Sequence, residues 1–188
     1  MIDRPKFYNC IRKNIFGRLT QEQVDSINAI LDECLVLDNR QTAYVLGTAY
    51  HETAHTMLAI EEYCKGKGKR YGKKIKMSGE PYEFPDKIYY GRGFVQLTWY
   101  ENYEMMGKVL NIPLLEQPEL ALDTKMAAKI LVKGMKYGLF TGKSLDDYFN
   151  SSKEDWINAR RIVNGLDKAE LIAQYAQKFY YCLENATI

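Results

Sequence analysis

The sequence predicts a mainly α-helical fold in one domain, and three observations predict it. Apolar residues recur at the helical period through nearly the whole chain, the periodic stretches open on capping residues, and most of them close on glycine or ahead of proline. A length of 188 residues suits one compact domain with a sizeable core and is short for two. Residues 1–188 are therefore read as a single unit.

The first helix opens on Asp3 with Pro5 in its first turn, carries Phe7, Cys10, Ile11 and Ile15 on one face, and stops at Gly17. Thr20, with Gln23 three residues on, makes a capping box for a second helix whose apolar face is Val24, Ile27, Leu31, Cys34 and Leu35. Asp38 or Asn39 caps a third, with a stripe of Thr42, Leu46, Ala49, Tyr50, Thr53 and Met57. From Glu61 to Tyr90 the helical period gives way to glycine, proline and lysine. That composition predicts a long irregular connector, with a small hairpin around Lys73 to Met77, forming one wall of a cleft. Phe94 to Leu97 is too short for periodicity to classify. Trp99 to Leu110 reads as a helix ended before Pro113, and Asp123 caps another through Lys136 with Gly138 as its stop. Ser144 with Asp147 opens a short turn. Lys153 or Glu154 begins a helix through Ile162 closed by Asn164-Gly165, and the last helix starts near Asp167 with Leu171, Ile172, Tyr175, Phe179 and Cys182 on its face.

Composition narrows the function. Hydrophobic content of 46% with 27% charged residues is that of a soluble globule and excludes disordered and fibrous classes. A net charge of +2 gives no global field for binding nucleic acid, and no apolar run approaches the roughly 20 residues that span a bilayer. Charge is concentrated, however. Between Cys64 and Gly79 stand Lys65, Lys67, Lys69, Arg70, Lys73, Lys74 and Lys76 with no acid, either a solvated loop or a contact for an anionic polymer. Fifteen tyrosines suit half-buried core positions and, as the second reading, sugar stacking. Cys10, Cys34, Cys64 and Cys182 have no metal-ligand spacing, and the polar N-terminus lacks an export signal, so reduced thiols in a cytosol are expected.

Two chemistries meet in Ala49-Tyr50-His51-Glu52-Thr53-Ala54-His55. His51-Glu52-Thr53-Ala54-His55 spells the zinc-peptidase pattern of two histidines four apart around a glutamate. Such a site needs a third protein ligand. The chain has 2 histidines, so that ligand would be a carboxylate, and no downstream helix supplies the usual continuation. The reading adopted holds no metal and no cofactor. In the other chemistry, glycoside hydrolysis, one carboxyl protonates the leaving oxygen and a second activates water. Glu52, beside apolar helix neighbours, suits the acid. Glu61 on a continuous helix would stand about 13.5 Å further along the axis, beyond the roughly 5–9.5 Å of such pairs. The chain must then leave the helix near Thr56 to Ile60 and turn back. Gly91-Arg92-Gly93 lacks the Gly-Lys-Ser/Thr sequel of a phosphate loop, and Arg92 suits a brace to a carboxylate.

Taken together, His51-Glu52-Thr53, the Lys/Gly-rich connector, Tyr89-Tyr90-Gly91-Arg92-Gly93-Phe94-Val95-Gln96-Leu97-Thr98-Trp99 and Ala159-Arg160-Arg161-Ile162-Val163-Asn164-Gly165 resemble the family 19 glycoside hydrolases, and within them the short endolysins of bacteriophages. The resemblance implies a lysozyme-like, two-lobed helical fold with a central substrate cleft, and single-step hydrolysis with inversion. It puts Glu52 on the general acid, Thr98 on a hydroxyl that fixes the attacking water, and Gln96, Asn102 and Asn164 on substrate contacts, with His51, Tyr90 and Arg92 beside them. The base is expected at Glu61, nine positions after the acid, with Glu62 and Glu80 as runners-up. His55 departs from the small residue usual in the family. The expected activity is an endolysin's, cutting the β-1,4 glycan of peptidoglycan. No separate wall-binding module is expected, and the protein is read as a monomer stored in the host cytoplasm and released through a holin-type membrane lesion. Its partners are then glycan strands, with no nucleic acid and no stable membrane insertion. Chitin cleavage, a wall-binding protein without catalysis and a zinc peptidase stand as alternatives.

Overall fold

A computed structural model describes residues 2–188. Six α-helices and a two-stranded antiparallel sheet are found among them: α1 (Arg4–Ile11), α2 (Gln21–Glu33), α3 (Asn39–Glu52), β1 (Ile60–Glu61), β2 (Arg92–Gly93), α4 (Tyr100–Leu110), α5 (Thr124–Tyr137) and α6 (Ala169–Ala186). The fold is the expected two-lobed helical one.

Local signals fix the helix starts. The Asp3 carboxylate accepts from the Lys6 amide to start α1, which widens into a π-helical turn over Arg12–Phe16 and stops at Gly17. Thr20 and Gln23 close a full capping box on α2. Asp38 caps α3 and Asp123 caps α5, each accepting an amide three residues on. Gly138 closes α5 in the left-handed conformation.

The larger lobe packs α1, α2, α3, α5 and α6 around Phe7, Ile11, Ile27, Leu46, Leu131 and Phe179, all essentially inaccessible. Its spine is α3 lying along α6. At Gly47 a Cβ would stand 2.7 Å from the Ala176 backbone nitrogen, so a side chain there would push the two helices apart. Cys10 and Cys182 form a disulfide joining α1 to α6 across 172 residues of sequence. This corrects the expectation of reduced thiols for that pair; Cys34 and Cys64 are free.

The smaller lobe holds the connector, the sheet and α4. Its core is a tyrosine cluster: Tyr89 packs against Tyr82, Tyr100 and Tyr103 at ring-centroid distances of 4.8, 5.3 and 5.3 Å. Part of the tyrosine excess is therefore structural. The expected hairpin is present as an antiparallel bridge, Ile75 to Pro81.

Three sequence expectations are corrected. Chain direction changes just after Thr53, not between Thr56 and Ile60: Ala54 and His55 take the left-handed conformation, and the Thr53 hydroxyl accepts from the Met57 amide across the turn. The segment from Lys153 to Ile157 is not helical: Phe149 and Glu154 pair as a bridge, the Asp155 carboxylate accepts from the Asn158 amide, and only a 3-10 turn over Asn158–Ile162 remains. Leu35 and Leu171 point outward, Leu35 beyond the C-terminal end of α2.

Candidate active site

A groove of about 460 Å³ runs between the lobes. Glu52, Phe140, Val163 and Asn164 line one wall, and Tyr71, Val95 to Trp99 and Asn102 the other. Four of the sequence-predicted residues with Glu52, namely Gln96, Thr98, Asn102 and Asn164, meet on this surface although they come from four separate segments.

Glu52 is the last residue of α3, partly shielded, and reaches the groove because the helix stops there. Its Oε1 accepts from Arg160 Nη1 at 2.5 Å, and Arg160 is only 4% exposed. Arg160 Nε also donates to the Asp167 carbonyl at 3.1 Å, which fixes the guanidinium between the 3-10 turn and the start of α6. The acid is thus held by a buried cation and not by apolar neighbours alone. Arginine spacing gave no hint of this, since Arg160 and Arg161 read alike as surface charges. His51 makes no hydrogen bond to Glu52 among the described residues; burial, more than any neighbouring charge, holds its pKa below the usual histidine value.

The zinc-peptidase spelling does not survive folding. Two histidines four apart face one way only on a continuous helix, and here α3 ends at Glu52 with Ala54 and His55 in the left-handed region. His55 stacks on Tyr50 at 4.4 Å and its Nε2 lies 3.0 Å from the Tyr175 hydroxyl. Among the described residues no three His, Cys, Asp or Glu side chains are grouped to hold a metal ion.

The three candidate bases differ in surroundings. Glu61 lies on β1, opposite Arg92 on β2. Its carboxylate accepts from Lys65 Nζ at 2.6 Å and from the Tyr90 hydroxyl at 2.8 Å, and these bonds, Lys65 first, hold its pKa below the usual carboxylate range. Glu62 is a brace: burial pushes its pKa up, but bonds from Cys64, Tyr71 and the Gly91 amide outweigh that and leave it lowered. Glu80 is exposed on the hairpin, next to Pro81. None of the three lines the groove.

On the groove itself Thr98 Oγ1 donates to the Gln96 carbonyl at 2.6 Å, so its oxygen remains an acceptor for a water. Asn102 Nδ2 donates to the Thr98 carbonyl at 2.8 Å, locking that turn to α4. Gln96 takes positive φ, and its Nε2 donates to the Ile60 carbonyl at 3.0 Å, so it ties the groove floor to β1. Asn164 Oδ1 accepts from the Gly165 amide. Two residues expected at the sugar, Arg92 and Tyr90, do not line the groove. Arg92 is buried, donates to the Ile88 and Tyr90 carbonyls and the Tyr103 hydroxyl, and lies 3.6 Å from the Tyr90 ring centroid; Tyr90 spends its hydroxyl on Glu61. Groove-lining Tyr71, Trp99 and Phe140 were not singled out by the sequence.

Comparison with known proteins places this arrangement. Residues 36–133, just over half the chain, match the family profile described as chitinase class I, glycoside hydrolase family 19. A basic endochitinase, CHB4, of Brassica napus is 30% identical over 125 residues, covering 63% of this chain and 42% of its own length. An endochitinase of Arabidopsis thaliana is 53% identical over 44 residues, 23% of this chain and 16% of its own. The chain thus spans less than half the length of these relatives. In fold it is similar to chitinase C from Streptomyces griseus, with a TM-score of 0.66 at 19% identity over 97% of this chain and 76% of that one. It is also similar to a class IV chitinase from Zea mays, with a TM-score of 0.59 at 16% identity over 97% and 94%.

Proposed function

This chain belongs to the family 19 glycoside hydrolases, and from that premise we propose that it hydrolyses the β-1,4 glycan backbone of peptidoglycan, as the endolysin that its sequence resembles. The observation that carries the reading is Glu52 at the end of α3, facing a groove with Thr98, Asn102 and Asn164 opposite and beside it.

In the proposed reaction Glu52 gives its proton to the bridging oxygen of the glycan. Arg160 occupies Oε1, which leaves Oε2 for the proton and holds the carboxylate that forms when the proton leaves. Water attacks from the opposite face and inverts the anomeric carbon, which asks for a base across the groove. Glu61 takes that part, ionised by its Lys65 and Tyr90 bonds, and Thr98 accepts a hydrogen bond from the water. Asn102, Asn164 and Gln96 position N-acetylated sugars. Substrate entry has to bring Glu61 to the water, since its oxygens now face Lys65 and Tyr90.

Chitin is the second reading, favoured by the relatives described as endochitinases. The cation-rich connector bordering the groove favours an anionic strand. In the endolysin reading the protein is stored in the host cytoplasm and reaches the wall through a membrane lesion made by another protein; among the described residues no helix is long and apolar enough to cross a membrane. Turbidity loss of permeabilised cells tests the reading. Wild type clears the suspension, whereas Glu52→Gln binds walls but clears none. Clearing by that variant would remove Glu52 from the acid's role.

A further inference from the structure

The groove's connector wall is electrostatically one-sided. Among the described residues, Lys65 alone of the seven cations between Cys64 and Gly79 is in an ion pair. Lys74 donates to the Pro85 carbonyl, Lys76 lies over the Tyr100 ring, and Arg70 donates to the Met77 carbonyl, so none of these three is neutralised. Lys67, Lys69 and Lys73 are exposed. The lobe's nearby acids keep their charge, Glu62 bonding to Tyr71, Glu83 to the Tyr100 hydroxyl and Glu101 to the Met77 amide, but over residues 61–90 eight lysines and arginines face five acids, so the excess is positive. The charge is also placed beside the sugar path. Arg70 immediately precedes Tyr71 and stands 6.0 Å from the ring centroid of Trp99; Tyr71 and Trp99, edge to face at 5.4 Å, both line the groove.

A neutral N-acetylglucosamine polymer has no use for this excess. A strand with a free carboxylate on alternate sugars does: where the glycan carries no stem peptide, the lactyl group on the sugar's 3-oxygen ends in a carboxylate, whereas a stem peptide converts that carboxyl to an uncharged amide. We propose that Arg70, supported by Lys69 and Lys73, forms a carboxylate-binding rim that selects glycan strands carrying acid groups on the sugar over uncharged ones. The guanidinium supplies a planar, two-pronged donor set that a lysine does not reproduce. The inference deepens the proposed function and rests on its reading of the groove as the glycan site.

The test is binding to the acid-inactivated Glu52→Gln protein by calorimetry, with two probes: a tetrasaccharide of alternating N-acetylglucosamine and N-acetylmuramic acid without stem peptides, and N,N′,N″,N‴-tetraacetylchitotetraose. Adding Arg70→Met, which keeps a flexible chain over Trp99, weakens the carboxylated probe about fivefold, the upper range for one exposed ion pair, and leaves the neutral probe within twofold. Arg70→Lys recovers part of the loss, Lys69→Gln with Lys73→Gln gives a smaller loss, and 0.5 M salt erases the difference between the probes. Equal weakening of both probes would make Arg70 a support for Trp99 and overturn the rim. So would no weakening, or a wild-type rim that binds the neutral probe as tightly. Failure of the glycan reading itself shows separately, as no binding of either probe in the groove, read from Trp99 fluorescence in a Trp156→Phe background, since Trp156 is the chain's other tryptophan.

Discussion

The two walls of the groove are built by different physics. The wall carrying Glu52 is a helix packed glycine-on-alanine against α6 and closed by a disulfide; the wall carrying Glu61 is held by tyrosine rings, carbonyl clamps on Arg92 and turns with positive φ at Gln96 and Trp99. The first has little freedom to move and holds Glu52, the proposed proton donor, against a buried cation. The second is pinned by polar contacts that water and substrate can replace. Fixing the acid and leaving the base adjustable suits a reaction in which a water must be admitted between them.

The largest effect that separates the walls is chemical. Glu52→Gln lowers the rate of glycan cleavage by about 10²–10⁴-fold, the usual worth of general acid catalysis, with an unchanged circular dichroism spectrum. Next come the constraints of the rigid wall. Gly47→Val forces a side chain into the Ala176 backbone and lowers stability by about 3 kcal/mol, the upper range for overpacking. Cys10→Ser removes the link across 172 residues and costs about 2–4 kcal/mol. Both appear as loss of global stability in urea titrations. The adjustable wall responds locally. Tyr103→Phe removes the hydroxyl that accepts from Arg92 and donates to the Tyr90 carbonyl, costing about 1–3 kcal/mol. Hydrogen exchange speeds up in residues 88–98 while α3 and α6 stay protected.

The smallest effect sharpens the comparison most. Glu61 is held below the usual carboxylate range by Lys65 and then Tyr90, so it stays ionised as pH falls until that lowered value is passed. Lys65→Met takes away the larger cause. The acidic limb of the kcat/KM profile then moves to higher pH, while the rate near neutrality, where Glu61 is ionised either way, changes by less than about twofold. If the limb stays in place, the base is another group.

Sequence reading and structure part company along the same boundary. Asp3, Thr20, Asp38, Asp123 and Ser144 were legible as helix or turn starts because capping bonds span three residues of chain. The groove residues Gln96, Thr98, Asn102 and Asn164 were legible through the resemblance, which carries positions that periodicity cannot. What stayed hidden is long-range. Cys10 with Cys182 and Glu52 with Arg160 are separated by 172 and 108 residues, and nothing in their local spacing pairs them. The end of α3 was misplaced because no glycine or proline marks it: the stop is a left-handed turn at Ala54 and His55, residue types that give no sign of it. Arg92 looked like a substrate contact because its charge gave no sign that Tyr90 and Tyr103 would enclose it.

The central claim is that Glu52 cleaves a glycosidic bond, and product analysis of purified peptidoglycan tests it most directly. New reducing ends and new free amines are scored for wild type and Glu52→Gln, with and without chelator. New reducing ends from wild type, undiminished by chelator and absent with Glu52→Gln, are the predicted result. New amines that disappear with chelator would contradict it and return His51 and His55 to the role of metal ligands.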